Sequence, residues 1–139
     1  MSSLTPLISK CKVSSVLNRD AKSFGKAHLF DASLETCWNS DQGSPQYILV
    51  EFAQPVKIDS VLIQFQGGFV GKDIELIDAI KAAKICSLYA DDNNKLQSFD
   101  VTQEEAAIGR SRIKILFNQS TDFYGRIVIY SLDFVGSTA

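Results

Sequence analysis

The chain has 139 residues, of which 45% are hydrophobic and 22% charged, and its formal net charge is −2. This length predicts one domain, residues 1–139 with a core from about 12 to 136, and a globule of this size buries roughly 68% of its unfolded surface. The net negative charge provides no positive electrostatic potential to attract a phosphate backbone, which argues against a nucleic-acid-binding protein. No apolar stretch of about 18 residues is present to span a bilayer, which argues against a membrane protein.

Alternating apolar and polar residues are the main signal along the chain, and they recur at intervals too short for helices. Seven segments are predicted as strands: "VSSVLN" (13–18), "YILVEF" (47–52), "SVLIQFQ" (60–66), "AKICSLYA" (83–90), "LQSFDV" (96–101), "RIKILF" (112–117) and "GRIVIYSLDFVG" (125–136). In three of them the alternation puts a set of apolar residues on one face: Ile48, Val50 and Phe52; Val61, Ile63 and Phe65; Ile113, Ile115 and Phe117.

Turn residues separate these segments, in "NSDQGSP", "AQP", "QGGFVGKD", "DDNNK" and "NQSTDFYG". The exception is "DIELIDAIKAAK" (73–84), where Ile74, Ile77 and Ile80 recur every third residue and favour one or two helical turns. About eight short antiparallel strands with at most a short helix predict an all-β jelly-roll sandwich.

Residue patterns for catalysis are weak in this chain. His28 has no second His or Cys at metal-ligand spacing, and the "GGFVGKD" stretch lacks the length and the Ser or Thr of a phosphate loop. Three widely spaced cysteines, Cys11, Cys37 and Cys86, suit reduced thiols in the cytosol or nucleus, as does an N-terminus without a secretion-signal pattern. We therefore expect a non-catalytic protein without a cofactor or a metal.

The stretch "LFDASLETCWNSDQGSPQYILVEF" (29–52) carries a resemblance to a known family. Phe30-Asp31, then Thr36-x-Trp38-x-Ser40, a strand ending in an apolar-Glu-Phe sequence and the final "IVIYSLDFVG" resemble the discoidin, or coagulation-factor C-type, galactose-binding-like jelly roll. This resemblance implies a binding module.

Five blocks give a more specific resemblance: "VSSVLNRDAKSFGKAHLFD", "ETCWNSDQG", "IQFQGGF", "DDNNKLQSF" and "TDFYGRIVIY". They are similar to the small proteins that associate with the orphan testicular receptor four, and the match runs from about Lys12 to Gly136. The resemblance implies a nuclear partner and repressor of an orphan nuclear receptor, one that hinders attachment of the receptor to its DNA element. It also implies a location in the nucleus, with the cytoplasm as a further compartment.

The same resemblance assigns roles to the corner residues Asp31, Thr36 and Trp38. In discoidin-like sandwiches this Trp generally packs inside, and its N–H can reach a carbonyl. Some relatives hold calcium near positions that correspond to Asp31, Thr36 and Asp133, but too few carboxylates lie nearby here for tight binding. We therefore expect no metal, with Asp31 and Thr36 bonded to loop backbone instead.

The candidate contact surface consists of aromatic-bearing loops. Partner or ligand contacts are expected from Asn39, Asp41, Phe69, Phe123, Tyr124 and Arg126. Because neighbours in an extended chain point in opposite directions, one ring of Phe123 and Tyr124 is expected to be buried. A glycan-binding module is the alternative, since these loops offer rings beside hydrogen-bonding groups. Membrane insertion of Phe69 and Phe123 is disfavoured by the few cations nearby.

Overall fold

The computed structural model describes residues 2–139, and its regular structure is almost entirely β. Nine strands occur in this range: β1 (Ser2–Ser3), β2 (Ile8–Val13), β3 (Trp38–Asn39), β4 (Gln46–Phe65), β5 (Gly71–Asp78), β6 (Ala83–Leu88), β7 (Leu96–Asp100), β8 (Arg110–Ser120) and β9 (Val128–Thr138). Its two α-helices, α1 (Ala21–Phe24) and α2 (Gln103–Ala106), have four residues each, and three 3₁₀ turns cover Thr5–Leu7, Leu17–Arg19 and Lys26–Leu29. None of these helices is long and apolar enough to cross a membrane.

The strands form two layers that share β4. The first part of this 20-residue strand pairs antiparallel with β2 and β8, and β5 and β6 extend that layer to five strands. Its second part pairs with β7 and β9, and β9 carries the two-residue strands β1 and β3. The register slips between Glu51 and Val56, so the chain passes from one layer to the other there. The predicted jelly-roll sandwich is confirmed.

The core lies between the two layers. The three predicted apolar sets on β4 and β8 are all buried, with Phe65 and Phe117 at 0% and 1% exposure. Phe65 of one layer meets Phe117 of the other edge to face, with ring centroids 6.1 Å apart, and Phe52 meets Phe134 in the same way at 5.7 Å. Such aromatic contacts fix how the two layers stack on each other. The loops at the ends of the sandwich lie outside this core.

The predicted helix at 73–84 is wrong, because this segment is the hairpin of β5 and β6. Ile74 faces the core, Ile77 is half-buried on the opposite face, and Ile80 is 65% exposed in the turn. The Asp78 carboxylate accepts hydrogen bonds from the Ile80 and Lys81 N–H groups and shapes that turn. Pairing of β5 with the distant β8 outweighs the local three-residue spacing.

Two other predicted boundaries are wrong. The strand predicted at 13–18 is misplaced, because β2 covers Ile8–Val13 and only Val13 is common to both. Leu17–Arg19 forms a 3₁₀ turn instead, in which Asn18 has a positive φ of 53°. The "AQP" sequence does not end a strand, since β4 runs through Pro55 while the register shifts. A strand that bends between layers keeps its extended backbone, and the turn residues mark the bend instead.

Candidate binding site at the loop end of the sandwich

Trp38 belongs to the core. It is fully buried, its ring lies 6.3 Å from that of Phe117, and its backbone pairs with Ile129 of β9. Its indole N–H donates to the Ser15 carbonyl at 2.9 Å, which satisfies the one polar group of the side chain. A fully buried indole offers no stacking face to a ligand.

The Asp31 carboxylate organises the loop before Trp38. It accepts hydrogen bonds from the Thr36 hydroxyl at 2.5 Å and from the Ser33 N–H at 3.1 Å, and it lies 3.1 Å from the Nδ1 of His28. The bond from Thr36, with smaller effects of His28 and Ser33, lowers the pKa of Asp31. The pKa of His28 is raised by its contact with the Lys22 carbonyl and then by Asp31. This cluster therefore holds its own loop together.

Asp133 has partners of a different kind, since it accepts hydrogen bonds from the hydroxyls of Ser3 and Thr5. Within residues 2–139, no group of three or more His, Cys, Asp and Glu side chains is arranged to hold a metal ion. The three cysteines are half-buried free thiols, and burial raises the pKa of each, for Cys11 to about 11. A raised pKa disfavours the thiolate, which is the nucleophilic form.

Three loops meet at one end of the sandwich: residues 40–45, 66–70 and 121–127. The Gly43 N–H donates to the Tyr124 carbonyl at 2.7 Å, and the Val128 N–H donates to the Phe69 carbonyl at 3.2 Å. Ser40, which is fully buried, bonds to the backbone of Ile127 in both directions. Backbone contacts between distant segments thus fix the positions of the candidate residues.

Arg126 lies at the centre of this loop end. Its guanidinium is 5.1 Å from the ring centroid of Phe69 and 5.9 Å from that of Tyr124. Its Nε donates to the Asp122 carboxylate at 3.1 Å, and this bond helps to keep the pKa of Asp122 low against the opposing effect of burial. Within the described residues the terminal nitrogens of Arg126 have no hydrogen-bond partner, so they are available to an acceptor from outside.

Phe123 and Tyr124 are both exposed, at 93% and 56%, so the expectation that one is buried is wrong. The Gly125 N–H donates to the Asp122 carbonyl at 3.0 Å, which closes a four-residue turn. Alternation applies to extended chain and not to the two central residues of such a turn. The two rings pack edge to face, 5.3 Å apart, at the tip.

Gly125 is the residue that this turn requires. Its φ is +85°, and a Cβ placed on it would lie 2.7 Å from the Gly43 carbonyl oxygen. Only glycine tolerates both the left-handed backbone and the close approach. The turn carrying Phe123 and Tyr124 is therefore held in one conformation.

Asn39 and Asp41 serve mainly to hold their own loop in place, and they offer little exposed surface to a partner. The Asp41 carboxylate accepts the Gln42 N–H, and the Asp41 N–H donates to the Ser15 hydroxyl. Asn39 is half-buried beside Trp38, and its buried Oδ1 has no hydrogen-bond partner within residues 2–139. Of the six predicted contact residues, Phe69, Arg126 and the two rings of the turn form one cluster.

Gln46 is a key residue that the sequence interpretation missed. It is 4% exposed, its carbonyl oxygen accepts from the hydroxyls of Ser14 and Ser15, and its amide donates to the carbonyls of Asp41 and Gly43. The alternation of the strand could have revealed it, because Gln46 precedes the core residue Ile48 by two positions and therefore points into the core as well. A polar residue at a core-facing position indicates a hydrogen-bonding role.

A shallow groove of about 330 Å³ lies beside the turn, between residues 43–44 and 119–125. Phe123 and Tyr124 form part of its wall, together with polar groups that include Asp122 and Gln119. The loop end thus combines exposed rings, a partly available guanidinium and a polar groove. Such a mixture suits the contact of a protein surface or of a small polar ligand.

Comparison with known sequences gives close relatives of one kind. The nuclear receptor 2C2-associated protein of Danio rerio is 50% identical over 128 residues, which cover 90% of this chain and 89% of that protein. The protein of the same name from Homo sapiens is 46% identical over the same shares of both chains. No protein-family model matches the chain.

Comparison with solved structures gives the fold. A family 32 carbohydrate-binding module (CBM) from Clostridium perfringens, solved with galactose, superposes with a TM-score of 0.77 at 17% identity and covers 96% of this chain and 97% of its own. An F5/8 type C domain from Bacteroides fragilis superposes with a TM-score of 0.75 at 12% identity, with coverages of 94% and 92%. With a discoidin-like fold and relatives at 45–50% identity over about nine tenths of its length, the chain belongs to the family of nuclear receptor 2C2-associated proteins.

Proposed function

We propose that this domain is a non-catalytic protein-binding module whose loop end contacts a nuclear receptor. The names of its relatives support association with a receptor of the 2C2 type, and they describe associated proteins and not enzymes. The observation that carries the proposal is the pair Phe123 and Tyr124, exposed at the tip of a turn that backbone hydrogen bonds hold fixed.

A fixed exposed ring is well suited to anchor an interface. Phe and Tyr each bury on the order of 150–250 Å² on complete desolvation, and a turn whose backbone is already fixed loses little backbone entropy on binding. Arg126 sits beside them between Phe69 and Tyr124, and can donate hydrogen bonds to partner carboxylates or carbonyls. Aromatic and Arg side chains are the residue types most enriched at binding hot spots.

The second part of the proposal concerns the effect of the domain on the receptor. We propose that the domain works in the nucleus as a repressor, occupying the receptor so that it attaches less well to its DNA element. The chain itself has a net charge of −2, which supports an effect through the receptor and not through direct DNA binding.

The test is a titration of purified nuclear receptor 2C2 with the Phe123→Ala/Tyr124→Ala double variant. We expect affinity to fall roughly thirtyfold, as for loss of about 2 kcal/mol at an interface centre, with folding stability unchanged within about 0.5 kcal/mol. Tyr89→Ala is the matched control, because Tyr89 is an aromatic residue that is 87% exposed and lies outside the three loops. Unchanged affinity of the double variant would move the interface elsewhere.

A gel-shift assay with receptor and its DNA element separates association from repression. We expect the wild-type domain to lower the fraction of DNA bound by receptor, and the double variant to leave it unchanged. A larger complex that contains DNA, receptor and domain together would contradict the hindrance step while leaving association intact.

Glycan binding is the second candidate, favoured by the galactose present in a structural neighbour's complex. Phe123 could stack on one sugar face, with Arg126 and the 330 Å³ groove supplying polar contacts. However, the rings of Phe123 and Tyr124 stand at 88° to each other, so they do not make one flat platform. Galactose titration followed by the NMR signals of residues 119–126 tests this candidate, and shifts that saturate would favour it.

A further inference from the structure

The solvent-facing side of the five-stranded layer carries a row in which cations and apolar residues alternate. Strand register aligns one residue from each strand, from the β2 edge to the β6 edge: Lys12, Leu49, Lys114, Ile77 and Lys84. A second row beside it contains Lys10, Glu51 and Arg112. These two rows, with Lys26 at the β2 edge, are called the cationic sheet face.

Two adjoining grooves run over this face. One has a volume of about 640 Å³ and includes Lys10, Lys12 and Lys26, and the other has about 440 Å³ and includes Ile77 and Lys114. Leu49 and Arg112 line both, so the two grooves are adjacent. The surface therefore has two neighbouring grooves across the strands, both lined by aliphatic and basic side chains.

Charge on this face is strongly uneven. The two rows and Lys26 hold six of the fourteen Lys and Arg residues and one of the sixteen Asp and Glu residues, in a chain with net charge −2. A second acidic residue, Glu75, lies in the adjacent row beside Lys84. Among residues 2–139, no carboxylate lies within 4.0 Å of Lys10, Lys12, Lys26, Lys114 or Arg112.

Among residues 2–139, salt bridges involve three Lys and Arg side chains, two off this face and one on it. Arg110 is paired with Asp78 and Glu105, Arg126 is paired with Asp122, and on this face Lys84 lies 3.9 Å from Glu75. Lys114 lies 4.6 Å from the Tyr47 ring centroid, a contact that leaves its positive charge uncompensated. Apart from Glu51, and Glu75 beside Lys84, this face thus has no negative groups, and an anionic partner would supply them.

We propose that the cationic sheet face binds an acidic peptide segment of a partner protein, with carboxylates on the lysines and apolar side chains on Leu49 and Ile77. Neighbouring strands lie about 4.8 Å apart, so alternate strands place cations about 9.6 Å apart. A polyproline II segment rises about 9.3 Å in three residues, which matches acidic residues at every third position. This surface is separate from the loop end and does not rest on the function proposed for it.

Two features favour a peptide over a nucleic acid on this face. Glu51 sits between Lys10 and Arg112 in the second row, where it would repel a continuous phosphate backbone. The aliphatic side chains of Leu49 and Ile77 have natural partners in a peptide and none in a chain of phosphates. The overall negative charge also works against a polyanion of high charge density.

The test uses a fluorescein-labelled peptide of four Glu-Pro-Leu repeats, and binding is followed by fluorescence anisotropy and by the amide NMR signals of the domain. We expect saturable binding, with shifted signals around Lys12, Leu49 and Lys114. The Lys12→Glu/Lys114→Glu variant is expected to bind at least tenfold more weakly. Lys57→Glu/Lys95→Glu carries the same charge change at two exposed lysines off this face and is expected to bind as wild type.

Three outcomes would overturn the proposal. One is the absence of saturable binding. Another is equal weakening of peptide binding by the two double variants, which would show non-specific electrostatic attraction and no defined binding site. The third is tighter binding of a single-stranded oligonucleotide than of the peptide, which would make the face a nucleic-acid surface. A thermal melt of each variant checks that the fold is retained.

Discussion

Two loop segments of this domain carry aromatic residues among polar ones, yet their rings lie in opposite environments. Trp38 follows the "LETC" loop and is fully buried, whereas Phe123 follows "NQSTD" and is 93% exposed. Composition does not distinguish the two segments. Backbone pairing does, because Trp38 begins β3 and bonds to β9, while Phe123 occupies the tip of a turn that closes on itself.

The comparison separates a region that satisfies its polar groups internally from one that leaves side chains to solvent. The Trp38 corner satisfies its polar groups internally, through Ser15, Thr36 and Asp31. The turn of residues 122–125 satisfies its backbone but leaves its rings and part of Arg126 to solvent. We therefore expect changes at the first region to act on folding and changes at the second to act on binding.

The largest effect is expected for Trp38→Ala. Removing a large aromatic side chain from a core costs about 3–5 kcal/mol, because a cavity replaces its packing against Phe117. Urea denaturation checks this, with Trp38→Phe as a control that keeps part of the packing and loses less. If the Trp38→Ala variant had the same free energy of unfolding as the wild type, Trp38 would not be a core residue.

Gln46→Leu is expected to be the next most damaging change. The leucine keeps most of the volume but removes four hydrogen bonds. Because the residues that make them are half-buried or exposed, water replaces part of what is lost, and we expect a cost of about 1–3 kcal/mol in total. Gln42→Leu is the control, since that glutamine is exposed in the same loop. Equal denaturation midpoints for the two variants would contradict the role of Gln46.

Gly125→Ala tests the rigidity of the turn. We expect it to destabilise the domain by about 1–3 kcal/mol, through both its φ of +85° and the clash with Gly43. Gly68→Ala provides a matched control, because Gly68 has a φ of +87° with nothing within 4 Å of its Cβ position. Equal destabilisation by the two substitutions would show that the close approach of Gly43 to Gly125 adds nothing to the cost of the alanine.

The smallest effect concerns His28 near the Trp38 corner. Its pKa is raised in the folded state, so its contribution to stability is present below about pH 6.5 and is lost as the pH rises through the folded-state pKa. The contribution is less than about 1 kcal/mol because solvent screens the pair. NMR titration should show a raised pKa that Asp31→Asn lowers only in part, since the Lys22 carbonyl remains. A normal pKa in the wild type would contradict this.

The sequence allowed the strands to be predicted where alternation was strong, as at Ile48, Val50 and Phe52. The sequence predicted the second strand of the hairpin at 71–88 but not the first, because the partner of the first strand, β8, lies about 40 residues away, and local spacing carries no information on that pairing. The exposure of both Phe123 and Tyr124 depends on a turn closed by Gly125 against Gly43, again a distant contact. Local pattern thus predicted most strands, while long-range backbone contacts determine the conformation of the loops at the end of the sandwich.

The most direct test of the division between the two regions is an NMR map of the domain with nuclear receptor 2C2 added. We expect the amide signals of residues 122–126 to shift or broaden with receptor, and those of residues 31–38 to stay unchanged. Perturbation confined to residues 31–38, with the turn unaffected, would contradict the assignment of recognition to the exposed rings.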